Sequence, residues 1–470
     1  MKTNVKILHQ EHDGGLVQTY NPATGEKLNA YRKQSREEAS KVVDRAHDAF
    51  LDWRETPISK RAEIISRMGK LLNENQDELA EMMTEQMGKT LSESKQEVKL
   101  CAQICKYTAE NGPDALKDEE RETQKGRGII TYQPIGVILA MQPWNFPLYQ
   151  VIRYSAANLL AGNTTVLKHA EICWSTAEKI QELFVKAGVP KDAFGLVFVS
   201  DETVDSLISH DKVRGVTVTG SAQAGRIVGE KAGQNLKKTV MELGGSDPYI
   251  ILADADLDKV VPTCVKGRTN NAGQTCVAAK RFIIEESIYD EFKEKFVAAM
   301  KKVKYGDPKS DDTDMGPIAR RDLREKLHQQ VQDCIVMGAE CLTGGEIPEN
   351  EKGYFYPATV LENIKPGMPA YDDELFGPVA SLFKARDVDD AIRIANDHRY
   401  GLGGGIFTAD EQRGIEIAKN HIDTGMVNVN GYALAQPEMP FGGVKESGYG
   451  REHGCFGVRE FVNIKSVIVG

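Results

Sequence analysis

Between about Ser35 and Gly112, apolar residues recur three and four positions apart in EEASKVVDRAHDAFLDW, KRAEIISRMGKLLNENQDELAEMM and EVKLCAQICKYTAE, the period of amphipathic helices. After Pro134 the rhythm changes to short apolar runs that read as strands: IGVILAMQPW, NTTVLKH, AFGLVFVS, VRGVTVTG, KKTVMELGG and DPYIIL. Helical stretches near Pro147 to Ala161, Ser175 to Lys186, Glu202 to Ser209 and Ala224 to Gln234 separate them. Strands alternating with crossover helices predict an α/β fold with a doubly wound parallel sheet, whose ligands lie beyond the carboxyl ends of the strands. A second alternating stretch, from about Asp254 to Val429, predicts a second α/β domain. Its helices fall at Ser287 to Lys302, Arg320 to Met337, Val388 to Asn396 and Asp410 to Lys419, with strands such as KRFIIE, AECLTGG and GMVNVN. RGIITYQPIG from Arg127 and the terminal GVREFVNIKSVIVG fit neither domain and read as exposed β-ribbon, whose unpaired edges favour association with another subunit.

A chain of 470 residues is too long for one compact core, which agrees with two or three domains. The domain division expected is 1–118 with 138–242, then 243–440, with 119–137 and 441–470 as association segments. An apolar fraction of 41% is ordinary for a globular chain, and 7% aromatics give no stacking platform. The formal charge of −10 argues against nucleic acid or an anionic membrane as partner, while leaving room for a local basic pocket. The N-terminal MKTNVKILHQEHDGG has too little apolar sequence for a signal-peptide core, and no apolar run is long enough to cross a bilayer. The expected location is the cytoplasm.

Eight cysteines without a CxxC pair or a close Cys/His cluster argue against a disulfide framework and against a metal site. Cys101 and Cys105, four apart, are read as one buried helix face. MGKTL at Met87 to Leu91 resembles part of a phosphate-binding loop, but Met83 stands where the earlier glycine belongs, and the segment falls within a helical pattern. It is set aside.

Chemistry concentrates at predicted strand ends. In TVTGSAQAGRIVGE a strand ends at Thr219, and Gly220, Ser221 and Gly225 open a helix whose free N–H groups could meet a phosphate, although any strand-to-helix turn uses such residues. VLKHAE places Lys168 and Glu171 in the loop after another strand, either as solvated charges or as partners of a ribose. A carboxylate there accepts from a 2′-hydroxyl and repels a 2′-phosphate, which favours NAD over NADP. Glu242 ends an apolar strand ahead of Gly244 and Gly245, where partial burial would raise its pKa towards that of a general base. Asn145, between Pro143 and Pro147, holds an amide suited to an oxyanion. In TNNAGQTCVAAKRF, Cys276 stands among polar residues, unlike a thiol that only fills a core. If these groups converge, a Cys276 thiolate attacks an aldehyde, Asn145 and the Cys276 N–H hold the oxyanion, and Glu242 activates water against the resulting thioester. Lys280 and Arg281 lead into the next strand and are weak candidates for activating the thiol.

PWNFP, VLKHAE, TGSAQAG, MELGGSDP, NNAGQTC, ELFGPV and MPFGGVKESGYGRE, in this order, resemble the signature segments of the NAD(P)-dependent aldehyde dehydrogenase superfamily from about Asn21 to the end. The resemblance implies a nucleotide-binding domain, a catalytic domain and a small β oligomerisation ribbon, assembled as a homodimer or homotetramer. It implies Cys276 as nucleophile, Glu242 as base and Asn145 as oxyanion donor. It also places Ser221 at the pyrophosphate, Lys168 and Glu171 at the adenosine ribose, Glu374 at the nicotinamide ribose and Phe376 beside the nicotinamide, with Trp144, Gly220, Gly225 and Leu243 around the cofactor. The expected cofactor is NAD, with NADP as the second option, because His169 replaces the proline that usually follows the ribose-loop lysine.

GQTCVAAKRF is similar to bacterial succinate-semialdehyde dehydrogenases, and Arg153 matches an arginine that contacts the substrate carboxylate in that group. A second arginine six residues before the nucleophile is Asn270 here, with Arg268 two residues further back. The expected reaction is oxidation of an aldehyde, succinic semialdehyde first, to its acid. Another aliphatic aldehyde or semialdehyde is the alternative, and a catalytically silent structural protein of the same fold is the alternative from another class. Glu242 argues against acyl transfer to coenzyme A, because acylating relatives usually lack that base.

Overall fold

The computed structural model describes residues 16–124, 126–349 and 352–470. The N-terminal stretch judged too short in apolar sequence for a signal peptide lies outside them. Among the described residues no helix is long and apolar enough to cross a membrane, and no group of three His, Cys, Asp or Glu could hold a metal ion.

Two sheets carry the molecule. In the first, Lys238–Glu242, Val213–Thr219, Val137–Gln142, Thr164–His169 and Phe194–Leu196 lie side by side and parallel, with Gly448–Tyr449 added antiparallel at the edge. In chain order the parallel strands run 5-4-1-2-3 across the sheet. The order reverses between Val137–Gln142 and Val213–Thr219, which opens a crevice at their carboxyl ends. Each face is covered because the strands are apolar on both sides. Val137, Leu139 and Met141 pack under the helices Arg36–Trp53, Asp201–Ile208 and Ala222–Gln234. Ala140 and Leu167 pack under Ile58–Glu74, Leu91–Ala115, Tyr149–Ala161 and Trp174–Ala187, where Cys101 and Cys105 are both buried.

The second sheet holds Thr359–Glu362, Val379–Ala385, Ala279–Glu285, Asp247–Ile251, Gly405–Phe407 and Asn428–Val429 in parallel, with Glu340–Thr343 antiparallel at one edge. DPYIIL, read with the first series of strands, therefore belongs here. The run is buried on both faces, so its pattern carries no sign of which sheet it joins. A three-stranded antiparallel sheet joins Glu119–Thr123, Gly126–Pro134 and Val462–Val469. GVREFVNIKSVIVG is only partly ribbon: Gly454–Glu460 is a short helix, and the strand starts after it. MGKTL is the joint between two helices rather than the inside of one. Gly88 ends Gln76–Met87 with φ +87°, and Thr90 caps Leu91–Ala115 through a capping box with Glu93.

Phe461 locks the C-terminal segment onto the first sheet, buried with Ile138 and Val240. An added Cβ at Gly215 would stand 2.6 Å from its ring, whereas one at Gly233 would meet nothing within 4 Å. Gly215→Ala is expected to lower stability by about 1–3 kcal/mol through overpacking. Gly233→Ala, in an exposed turn of helix, is expected to raise it by roughly 0.5–1 kcal/mol. Thermal denaturation of the two variants side by side checks the contrast.

Candidate active site

The thiol segment is a forced turn. After the helix Leu257–Thr269 the chain passes through Asn271, Ala272 and Gly273 at φ 55°, 52° and 70° before reaching Cys276 and the strand Ala279–Glu285. Two consecutive non-glycine residues in the left-handed region are costly and persist only where neighbours over-determine them. Those neighbours are visible. The Gln274 carboxamide accepts from Ala319 N–H (2.9 Å) and donates to Asn271 O (3.1 Å), and Glu93 accepts from Asn271 N–H (2.6 Å).

Asn145 comes from the other sheet, in the loop beyond Val137–Gln142. Its Nδ2 donates to Gln274 O (3.1 Å), while Asn271 Nδ2 donates back to Asn145 O (2.8 Å). Gln150 Nε2 donates to Asn145 Oδ1 (3.4 Å), which fixes the amide with its NH₂ towards the thiol segment. Glu97 grips the same loop from behind, accepting from the N–H groups of Leu148 and Tyr149 (both 2.9 Å), and is itself ion-paired with the fully buried Lys89. His169, in the place of a proline, is also part of this loop's support. Burial holds its pKa down to about 4, so the ring is neutral. Nε2 lies 3.0 Å from Pro147 O, and Nδ1 lies 2.9 Å from Ala170 N and 3.1 Å from Gln142 O, so the ring bridges the strand end and the loop of Asn145.

Cys276 opens onto a cleft of about 470 Å³ at the switch point of the first sheet, together with Trp144, Asn145, Gly220, Ser221, Leu243, Glu374 and Phe376. Burial pushes the thiol up to about 12, against the pull of the Arg153 and Lys280 cations. Lys280 does more than lead into a strand. Its Nζ donates to Cys276 O (2.6 Å) and Thr275 O (3.0 Å) and pairs with Glu374 Oε1 (3.0 Å), so it ties the thiol's backbone to the cleft wall. Arg281 is structural, donating to Ser246 O, Ile394 O and Ala395 O.

The cleft suits a dinucleotide. Ser221 caps the helix Ala222–Gln234, accepting from Ala224 N–H (3.2 Å), and leaves the helix start open to a phosphate. Trp144 meets Phe376 edge to face at 5.8 Å, an aromatic wall for a planar ring. Gly244 passes Glu374 so closely that a Cβ would fall 2.5 Å from its Oε2. Gly225 serves packing instead: it is buried off the cleft, and a Cβ there would strike Leu243 at 2.4 Å. Lys168 and Glu171 lie outside the cleft, further along the sheet edge. Lys168 is within the strand Thr164–His169 rather than in the loop after it, because that strand stays paired with Val137–Gln142 to its last residue.

Glu242 and Arg153 do not line the cleft. Glu242, 1% exposed, has no hydrogen-bond partner for either carboxyl oxygen among the described residues. Burial pushes its pKa well above the carboxylate range, opposed by Arg153 and reinforced by Glu452. Arg153 is ion-paired with Glu452, donates to Thr219 Oγ1 (3.0 Å) and lies 4.6 Å over the Phe441 ring. Phe441 belongs to a small apolar cluster with Val277 and Leu402, against which Cys276, Leu434 and Ala435 pack. Glu452, His453 and Tyr149 were missed by the sequence reading. Tyr149 OH bonds His453 Nε2 at 2.9 Å, and Glu452, at the end of MPFGGVKESGYGRE, carries no local signal of its ion pair. Arg268 is fully buried and donates to Gly273 O (2.7 Å), so it supports the turn, and Asn270 opens that turn.

A family model described as the aldehyde dehydrogenase family matches residues 9–467. A succinate semialdehyde dehydrogenase [NAD(P)+] of Escherichia coli (strain K12) is 44% identical over 447 residues, 95% of this chain and 96% of the relative. A succinate-semialdehyde dehydrogenase [NADP(+)] of Deinococcus radiodurans is 42% identical over 96% of this chain and 94% of its own. Among solved structures, the succinic semialdehyde dehydrogenase of Streptococcus pyogenes in complex with NADP+ superposes with a TM-score of 0.94 at 38% identity, covering 96% of this chain and 99% of that one.

Removing the Glu97 charge leaves Lys89 buried without its counter-ion. Glu97→Gln is expected to cost about 3–5 kcal/mol of stability, read as a lowered thermal midpoint. A midpoint within a degree of the parent would show that the loop does not depend on this pair.

Proposed function

We propose that this chain, which belongs to the aldehyde dehydrogenase family, oxidises succinic semialdehyde to succinate with NAD or NADP, carrying the acyl group on Cys276. The observation behind this reading is the Asn145 Nδ2 bond to Gln274 O at 3.1 Å, which brings an amide donor from one sheet against the thiol segment of the other. The Cys276 thiolate attacks the aldehyde carbon. The C–S bond forms as the carbonyl pair moves onto oxygen, where the second Asn145 Nδ2–H and the Cys276 N–H hold it. When bound, the nicotinamide supplies the acceptor for the hydride that leaves this carbon. Glu242 then takes a proton from water, whose oxygen attacks the thioester carbon and expels the thiolate. Arg153, over the Phe441 ring and paired with Glu452, is the cation for the distal carboxylate.

The proposed site sits in a homo-oligomer formed through the three-stranded sheet, whose edge strand Val462–Val469 exposes Ile464, Val467 and Ile468. A cytoplasmic location suits eight cysteines that are all unpaired.

Glu242→Gln is expected to keep the first-turnover burst of reduced cofactor and to lose steady-state turnover by roughly 10²–10⁴-fold. Loss of the burst as well would remove Glu242 from the water step. Because the Cys276 thiol and the Glu242 carboxyl are both raised, their active, deprotonated forms grow as pH rises. The burst rate and the steady-state rate should therefore both climb from neutral to alkaline pH, and in Glu242→Gln only the burst should do so. A flat burst profile would contradict a protonated resting thiol.

For substrate choice, Arg153→Met combined with Glu452→Gln removes both buried charges. Both aldehydes lose the pull of Arg153 on the thiol, and succinic semialdehyde is expected to lose about 2–5 kcal/mol more in kcat/KM than butanal. An equal loss on the two aldehydes would sink the carboxylate reading.

A further inference from the structure

Outside the cleft, further along the edge of the first sheet, two ion pairs cross over the carboxyl edge of Thr164–His169. Lys168 Nζ lies 2.7 Å from Asp201 Oδ1, and Lys33 Nζ lies 2.6 Å from Glu171 Oε1. The four formal charges cancel. Lys33 is held by a built segment rather than by a loose surface chain. Tyr31 stacks on Phe198 (5.9 Å) and meets Trp174 edge-on (5.1 Å), Asn29 Nδ2 donates to Ser175 Oγ (2.9 Å), and Gln34 Oε1 accepts from Phe198 N–H (3.0 Å). The carboxylates differ in freedom: the Asp201 side chain is 95% exposed, that of Glu171 30%.

A carboxylate beside a nucleotide ribose accepts from the 2′-hydroxyl and repels a 2′-phosphate. That repulsion depends on the carboxylate being free. With the Lys33 ammonium on Glu171, most of the local negative charge is cancelled, and one carboxylate oxygen still remains for a hydroxyl. Asp201 occupies Lys168 only through an exposed pair, which is worth little and is readily exchanged for a dianion. We propose that Lys33 and Asp201 set the cofactor choice: Lys33 neutralises Glu171, and Asp201 keeps a place on Lys168 that a 2′-phosphate takes over, so that NADP and NAD are both accepted. Lys33 is thus a positioning residue, acting through Glu171. This rests on the reading that Lys168 and Glu171 face the adenosine ribose.

Isothermal titration with 2′,5′-ADP and 5′-AMP, the two cofactor halves that differ only in the phosphate, tests the proposal on the intact protein without turnover. Lys33→Met is expected to bind 2′,5′-ADP about ten-fold more weakly and 5′-AMP within about two-fold of the parent. Asp201→Asn is expected to bind 2′,5′-ADP several-fold more tightly. In Lys33→Met combined with Glu171→Gln the loss should largely disappear, and kcat/KM for NADP relative to NAD should follow the same order. Equal effects of Lys33→Met on both ligands, no effect on either, or a loss undiminished in the double variant would overturn the role of Lys33. Unchanged binding of 2′,5′-ADP to Asp201→Asn would overturn that of Asp201. Glu171→Gln alone separates the two levels. If it tightens 2′,5′-ADP while Lys33→Met does nothing, the ribose reading stands and the Lys33 proposal falls. If it changes neither ligand, the ribose reading itself fails.

Discussion

The hydrogen bonds exchanged between Asn145 and the turn at 271–274 are the contact on which the site depends. One partner follows the central strand of the first sheet and the other precedes a central strand of the second. No covalent feature brings them together, since long stretches of chain separate them. The left-handed backbone at Asn271 and Ala272 is unfavourable alone and is sustained because Gln274, Glu93 and Asn145 each take one of its polar groups. Glu93 and Glu97, one turn apart on Leu91–Ala115, grip the two halves separately: Glu93 the turn, Glu97 the loop after Asn145. A single helix thereby sets the spacing between the proposed nucleophile and the proposed oxyanion donor.

Behind that contact lies a second device, a low-dielectric layer of paired charge. Arg153 and Glu452 are both buried, and Glu242 stands near them without a hydrogen bond to either oxygen. In such a layer each charge alters its neighbours strongly. The same guanidinium opposes the rise of the Cys276 thiol and of the Glu242 carboxyl. If those two groups act in successive steps, as proposed, one cation favours the reactive form of each. With Glu452 beside it, that pull does not overcome burial, and both groups stay raised.

What could be read from the chain divides along a physical line. Alternating helices and strands were legible because each element buries a face against its neighbours, and burial writes a period into the sequence. DPYIIL was legible as a strand, but its burial pattern could not say which sheet it joins, because a run buried on both sides has no polar face to orient it; only the expected division at 242/243 set it with the second domain. Gly457 to Glu460 reads as ribbon but ends the helix Gly454–Glu460, since seven residues are too few to show a helical period. Cys276, Asn145 and Glu242 stood out by residue type at a predicted strand end or beside it. Glu452, Lys33 and Asp201 did not, because their partners Arg153, Glu171 and Lys168 are remote in sequence and no local pattern encodes a pair closed by the fold. Lys280 was legible in place but not in use: its bond to the Cys276 carbonyl requires the strand and the turn to be built first.

The two ends of the first sheet use charge in opposite ways, and this bears on what each can change. Near the thiol, Lys89–Glu97 and Arg153–Glu452 are buried pairs, and loss of one member strands the other in apolar surroundings. Substitution there threatens folding before it alters selectivity. At the edge of Thr164–His169 the pairs are partly exposed, Asp201 most of all, so a partner can be exchanged at small cost. His169 is where these regimes meet: its backbone ends the strand Thr164–His169, and its buried ring holds Pro147 beside Asn145. A proline, having no side-chain donor, could not make that bond. The chain can therefore vary its exposed lysines and carboxylates, and with them, if the ribose lies there as proposed, its preference for a 2′-hydroxyl or a 2′-phosphate, while the neutral imidazole keeps the loop of Asn145 in place.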